Sequence, residues 1–309
     1  MTAADVFEAH RPRLVGIAYG MLGGIAEAED VVQDAYLRWH DADSAQIRSA
    51  EAFLVTVTTR LAIDRLRSAR ARRETYVGPW LPEPLVADAT APDPADVVVE
   101  AEQLSLAFLT TLERLNPVER AVLLLRDVFD LDYGDIADVV EKSPANVRQI
   151  ATRARAHVGD ADRHVGDHDH AEEQRLLEAF MEAVSTGDLE RLTGILAADA
   201  ILYTDGGGVV TAARKPIYTG PKVARFFIGV ARKAPPDLSA AWARVNGEPG
   251  IVLDTPRGVL NVMAFEIRDG MVTAVRVVAN PEKLGYAARG IDSRRARSSS
   301  SSSTSRRMS

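Results

Sequence analysis

LNPVERAVLLLRDVFDLDYGDIADVVEKSPANVRQIATRARAHV, residues 115–158, decides the fold of the chain's second part. Asn116 is a capping residue type, Pro117 suits the first helical position and Glu119 stands three places after the cap, so a helix starts here and runs through Val122, Leu125 and Phe129. A second helix begins near Asp132 with Ile136, Val139 and Val140 inward. After the short link Glu141-Lys142, Ser143 caps a third that opens on Pro144. Two helices joined so tightly make a helix-turn-helix. In the last of them Val147, Ile150, Ala151, Ala154 and Val158 share one face, which leaves Asn146, Arg148, Gln149, Thr152, Arg153 and Arg155 outward. Arginine pairs with guanine edges, Asn and Gln with adenine, and Thr holds phosphate, so these are residue types of the major groove. A generic amphipathic helix with basic polar positions is the bland alternative.

Toward the N-terminus, a first helical block covers about Thr2 to Glu74. In its clearest helix Ala28, Val32, Tyr36 and Trp39 recur on one inward face, while Glu27, Asp30 and Asp34 form an acidic stripe on another. That stripe reads as a solvated face or as a docking surface for a basic partner. After a polar loop, Asp41 to Ser49, a long helix has Phe53, Val57, Leu61 and Leu66 as apolar positions and ends in arginines. From Arg60 to Arg73 six arginines face Asp64 alone, a net charge of +5 inside a chain whose total is -7. Six bases exceed what a helix dipole needs and suit phosphate. Gly78, Pro79, Pro82 and Pro84 then break the pattern, and the interval Asp88 to Glu102 is acidic without a base. Trp80 stands out in this linker, because a large aromatic in a proline-rich segment gains by docking on a folded surface.

The third block changes period. Glu172 to Ala183 and Leu189 to Leu196 read as helices. Ala200 to Tyr203, Val209 to Ala212, Leu238 to Val245, Pro249 to Leu253, Val259 to Ile267 and Val272 to Val278 read as strands punctuated by Asp205-Gly206-Gly207-Gly208, Asn246-Gly247 and Asp269-Gly270. Helices followed by an antiparallel meander imply α+β. The expected organisation is a multidomain chain. It has helical domains at 1–76 and 98–160, linkers at 77–97 and 161–171, an α+β domain at 172–290 and a disordered serine- and arginine-rich tail at 291–309.

Within its 309 residues the chain has no cysteine, which excludes disulfides, thiolate zinc sites and a Cys nucleophile. His157, His164, His168 and His170 alternate with Asp160, Asp162, Asp167 and Asp169, but their spacing fits no defined metal site, and neither metal nor cofactor is expected. No run approaches the roughly 18 uncharged apolar residues of a membrane span and Met1 to Val6 lacks a signal pattern, so a cytoplasmic protein without membrane contact is expected.

Two helical blocks of this kind, the first ending in a basic helix and the second in a helix-turn-helix, resemble the bacterial extracytoplasmic-function sigma factors. AEAEDVVQDAYLRW at 26–39 is similar to the segment that in this family docks on the clamp helices of the largest RNA polymerase subunit, which gives Glu27, Asp30 and Asp34 their basic partner. AFLVTVTTRLAIDRLRSARAR at 52–72 is similar to the helix that opens the -10 promoter element. That implies DNA contacts by Arg60, Arg65 and Arg67, with the preceding loop as a pocket for an unstacked base. Residues 115–158 resemble the reader of the -35 element, with Asn146, Arg148, Gln149, Thr152 and Arg153 on the DNA. The resemblance extends to a SigJ-like subgroup with a C-terminal SnoaL-like cone domain, on three motifs: Trp80-Leu81-Pro82-Glu83-Pro84, Asp205-Gly206-Gly207-Gly208 and Asn280-Pro281-Glu282-Lys283-Leu284. The chain departs from the subgroup pattern at Val209, where a Lys often follows the glycines, and at Glu282, where an Asp is usual. In this subgroup the extension is held to control the sigma factor from within the same chain, so these motif residues are the regulatory candidates.

The resemblance implies a non-enzymatic promoter-recognition subunit whose partners are RNA polymerase core and promoter DNA. The alternative is that the third domain senses an unknown small ligand or works as a cyclase or isomerase, for which Tyr203, Asp205 and Asp254 are the acid-base candidates. All six histidines, from His10 to His170, precede that domain, so a His-assisted dyad is excluded there.

Overall fold

The computed structural model describes residues 2–43, 47–73, 75–87, 104–159 and 170–289. The chain forms two compact units, Met1–Thr75 with Ala95–Val165 and Tyr76–Pro94 with Gly166–Ser309.

In the first unit α1 (Ala3–Leu22) starts from a capping box between Thr2 and Asp5 and ends at Gly23, whose φ of 74° a glycine adopts without strain. Helices α2 (Ile25–Asp41) and α3 (Ala50–Arg73) complete the first bundle. The second contains α4 (Leu106–Leu112), α5 (Pro117–Asp127), α6 (Tyr133–Val140) and α7 (Pro144–Val158). The cap read at Asn116 is present as a reciprocal box with Glu119. The inward face of α3 differs from the sequence reading. Leu54, Val55, Thr58, Thr59, Ala62, Ile63 and Leu66 are buried, while Phe53, Val57 and Leu61 are only half-buried. Two buried threonines, Thr58 and Thr59, carry part of the stripe there, and a count of apolar side chains passes over them. The two bundles pack through Gly20, where a Cβ would meet Leu104 and Leu124 at 3.2 Å, and through the buried Arg120, whose Nε donates to the Gly20 carbonyl (3.0 Å).

The second unit is α+β. Helices α8 (His170–Thr186), α9 (Leu189–Ile195) and α10 (Gly220–Ala231) cover one face of a sheet built from β2 (Leu196–Asp205), β3 (Ile217–Tyr218), β4 (Ser239–Val245), β5 (Glu248–Thr255), β6 (Gly258–Arg268) and β7 (Met271–Val278). The core lies between them. Phe180 meets Phe227 and Phe265 edge-on at 5.1 and 5.2 Å, with Leu202, Ile251, Met263 and Val275 around it. The strand order is β4-β5-β6-β7-β2-β3, and β2 pairs parallel with β7, so the meander expected throughout holds only from β4 to β7. Val209 to Ala212 is not a strand, because Val209 and Val210 turn back to the Gly206 carbonyl (3.0 and 3.1 Å) and the chain pairs with β2 only at Ile217–Tyr218. Helix α10 was passed over in the sequence although Pro221 in its first turn and the apolar period of Val223, Ala224, Phe227 and Ile228 mark it; its N-cap, Thr219, has φ 80° and makes no side-chain cap.

The linker supplies a seventh strand. Residues Val86–Ala87 (β1) pair antiparallel with Val245 and Arg244 at the β4 edge, and Leu81 and Leu85 before them are fully buried. Burial of this kind stabilises by about 1.5–3 kcal/mol per leucine, so the segment from Tyr76 to Ala87 is a strap belonging to this unit.

Candidate nucleic-acid interface and linker-docking site

Helix α7 is placed by its caps. The Ser143 hydroxyl accepts from the Asn146 amide (3.3 Å), Pro144 follows, and Glu141 closes α6 in the left-handed region at φ 55°. Val147, Ile150, Ala151, Ala154 and Val158 are buried, while Asn146, Arg148, Gln149, Thr152 and Arg153 are exposed. The Arg148 guanidinium rests over the Tyr133 ring at 5.3 Å, and Thr152 donates to the Arg148 carbonyl (3.0 Å). Arg155 departs from the outward reading: its Nε donates to Asp127 (2.9 Å), its Nη2 to the other oxygen of the same carboxylate, and the pair ties α7 to α5.

In the first bundle the acidic stripe lies outside the core, with Asp30 and Asp34 exposed and Glu27 half-buried. Arg65 donates to Asp30 (3.1 Å) and Arg67 to Asp64 (3.0 Å), surface pairs that add little stability. Arg60 is engaged more fully, by the carbonyls of Asp138 and Val139 and the Glu141 carboxylate. The side chains of Arg70, Arg72 and Arg73 lie outside the described residues, as do 44–46 of the loop before α3.

The three motifs named as regulatory candidates meet at Asp205. Its carboxylate is fully buried and accepts from the Tyr76 hydroxyl (2.6 Å), the Leu81 amide (2.9 Å), the Gly207 amide (3.0 Å) and the Lys283 ammonium (2.7 Å). Lys283 also donates to the Leu81 carbonyl (2.6 Å) and lies 4.2 Å from the Trp80 ring centroid and 4.8 Å from that of Tyr76, so the strap wraps the ammonium with two aromatic faces. Asn280 donates to the Tyr76 hydroxyl (3.0 Å) and accepts from the Glu282 amide (3.1 Å), fixing the turn that presents Lys283. Burial first, then the hydrogen bond to Asp205, pushes the Tyr76 phenol far above its ordinary value, so it stays a donor. Gly207, at φ 63°, has no room for a side chain, since a Cβ would stand 2.4 Å from the Asn280 Nδ2. Pro82 and Pro84 are buried, and Glu83, Leu284 and Pro281 complete the two segments, Leu284 buried and Pro281 exposed. The basic group at the glycine motif is thus Lys283, and Val209 is exposed.

A second anchor lies at the far end of the strap. The Leu85 amide donates to the Asn246 side chain (3.0 Å) and the Asn246 amide to the Leu85 carbonyl (2.8 Å). Sequence reasoning took Asn246 as a turn residue only and passed over Tyr76. Their partners lie 161 and 129 residues away, and no local pattern announces such pairs.

Each of the acid-base candidates has a neighbour in the structure. Tyr203 and Asp205 alternate with the core residue Leu202 and so lie on the sheet face away from the helices. The Arg276 guanidinium, paired with Glu266, covers Tyr203 at 5.6 Å, and Asp254 accepts from the Ser239 hydroxyl. His164 and His168 lie outside the described residues, and among the described residues no group of three ligand side chains could hold a metal.

Comparison with known proteins matches residues 6–72 to sigma-70 region 2 and residues 105–158 to sigma-70 region 4. The chain is 38% identical over 288 residues to the ECF RNA polymerase sigma factor SigJ of Mycobacterium tuberculosis, covering 90% of this chain and 92% of that one. It is 33% identical to the probable ECF RNA polymerase sigma factor SigI of the same species, over 90% and 93% of the two chains. The crystal structure of M. tuberculosis SigJ superposes with a TM-score of 0.75 at 35% identity, over 91% of this chain and 98% of that one.

Proposed function

The chain belongs to the extracytoplasmic-function sigma factors of RNA polymerase, and we propose that its third domain sets promoter activity from within the same chain by holding the strap Tyr76–Ala87. As a sigma factor it directs transcription initiation by RNA polymerase at promoter DNA. In our reading Glu27, Asp30 and Asp34 dock on the clamp helices of the largest subunit, Arg60, Arg65 and Arg67 track the -10 strand, and Asn146, Arg148, Gln149, Thr152 and Arg153 read the -35 element. The protein then works in the cytoplasm. No bond-making chemistry is assigned to it, since opening is driven by binding free energy to distorted DNA and captured bases.

The observation that carries cis control is the buried carboxylate of Asp205, which takes two of its four hydrogen bonds from the strap. A carboxylate so committed is a clasp, and this also argues against its use as a catalytic base. The strap connects the two DNA-reading bundles. Fixing its 12 residues withdraws about 40 Å of extended reach from that connection, at roughly 3.3 Å per residue. A docked strap therefore limits which separations of the -10 and -35 readers can form, and release restores them.

The test is transcription with core polymerase by the wild type and by Trp80→Ala, alongside -35 duplex binding by both. A change in transcription with unchanged duplex binding supports cis control; unchanged transcription refutes it.

A further inference from the structure

We propose that the second helical bundle carries an acidic mimic of the DNA backbone, which occupies the -10 reading groove of the free chain and must be displaced by the promoter strand. This rests on the promoter-binding reading above. A cavity of about 1020 Å³ opens within the first unit beside the loop that precedes α3. Arg13, Arg38, Arg48 and Arg60 line it from the first bundle. Asp130, Asp132, Asp135 and Asp138 line it from the second.

Two of those arginines are held as DNA would hold them. Arg60 donates to the carbonyls of Val139 (2.9 Å) and Asp138 (2.7 Å) at the end of α6, and its Nη1 lies 3.1 Å from Glu141. Arg13 donates to the carbonyl of Phe129 (2.8 Å), just past the end of α5, and its Nε lies 3.4 Å from the Glu51 carboxylate of its own bundle. Asp138 and Val139 hold the last carbonyls of α6, which lack intrahelical donors and carry the negative end of its dipole, so with the Glu141 carboxylate Arg60 meets there one anion and two dipolar acceptors, a set that resembles the oxygens of a phosphodiester.

The acids exceed what packing requires. Asp130 and Asp132 share Arg126 (3.2 and 3.9 Å), but Asp135 and Asp138 are exposed and make no ion pair among the described residues. Asp135, in the first turn of α6, meets the positive end of that helix's dipole, but Asp138 stands in its last turn, where a carboxylate is unfavourable; both line the cavity that the arginines share, and together they give it a negative field. The field draws the same arginines that a nucleic-acid strand would draw, so mimic and strand compete. A groove open about a tenth of the time binds its strand about tenfold more weakly than an open one.

The competition is sequence-independent, so the probe is a labelled single-stranded DNA of about 20 nucleotides with randomised sequence, titrated with the full chain without polymerase. The proteins are the wild type, the variant Asp135→Asn/Asp138→Asn/Glu141→Gln, and a control variant with equal charge change on the third domain, Glu178→Gln/Glu190→Gln/Asp199→Asn. We expect the first variant to bind about tenfold tighter than wild type at about 0.15 M salt and to lose affinity more steeply as salt rises, because salt weakens the wild-type mimic along with the DNA. The control should move by less than about twofold. Equal gains by both variants would reduce the effect to net charge and overturn the proposal, as would no gain by a variant that keeps wild-type helicity and -35 binding. Transcription with core polymerase, run in parallel, separates the two claims. If the wild type initiates and the variant shows no gain, the mimicry alone is wrong; if the wild type never initiates, the promoter reading beneath it fails as well.

Discussion

Lys283 places its ammonium 2.7 Å from the carboxylate of Asp205, 78 residues away in the chain, with Asp205 fully buried and Lys283 13% exposed. Removing one partner of such a pair leaves an uncompensated buried charge, at a cost of about 3–5 kcal/mol. Lys283→Met should therefore loosen the strap. Hydrogen exchange at the Leu81 and Leu85 amides is expected to accelerate more than at core amides of β6; unchanged protection at Leu81 would show that the pair does not hold the strap.

Gly207 tests the same clasp sterically. A methyl group there collides with Asn280 and demands a positive φ, so Gly207→Ala should destabilise the third domain by about 1–3 kcal/mol in chemical denaturation. Truncating the obstacle in Gly207→Ala/Asn280→Ala should cost less than the two single changes summed. Strict additivity would mean that the collision is not the cause.

On α7, Arg148→Ala, Gln149→Ala and Arg153→Ala should weaken binding to the -35 element by about 1–3 kcal/mol wherever the side chain reads a base, measured against a scrambled duplex. Arg155→Ala should act differently, lowering the melting temperature through loss of the Asp127 pair while leaving sequence preference unchanged. Uniform loss of affinity on both duplexes by all three exposed variants would reduce them to phosphate contacts.

Reversing Asp30 and Asp34 to Lys should weaken association with core polymerase and leave the fold intact, because both are exposed and the Asp30–Arg65 pair lies at the surface. Circular dichroism and core-binding titration at physiological salt check the two halves; an unchanged core affinity would mark the stripe as solvated.

The helix-turn-helix was legible because several local signals agree there. Capping types at Asn116 and Ser143, prolines at the first helical position and the apolar period of α7 all point the same way, and each is found in the structure. The long helix α3 was legible as a helix but not in its facing, since Thr58 and Thr59 carry part of the buried stripe. Val209 to Ala212 has strand composition, yet the turn set by the preceding glycines overrides propensity. The three motifs that meet at Asp205 could be picked out as unusual segments, and Trp80 as a residue in need of a surface. Their convergence on one carboxylate could not be read, because the partners depend on tertiary approach, as do those of Tyr76 and Asn246.

Cis control through the clasp is tested most directly by a double-mutant cycle in reconstituted transcription with core polymerase. It compares wild type, Trp80→Ala, Lys283→Met and the double variant on one promoter, with -35 duplex binding measured for each. The Trp80 ring and the Lys283 ammonium stand 4.2 Å apart, so both single changes should release the same strap. The account predicts that they shift transcription in the same direction, by roughly 5- to 150-fold for a coupling of about 1–3 kcal/mol, that the double variant goes little further, and that duplex binding stays constant. Additive effects, or shifts of opposite sign, would contradict it.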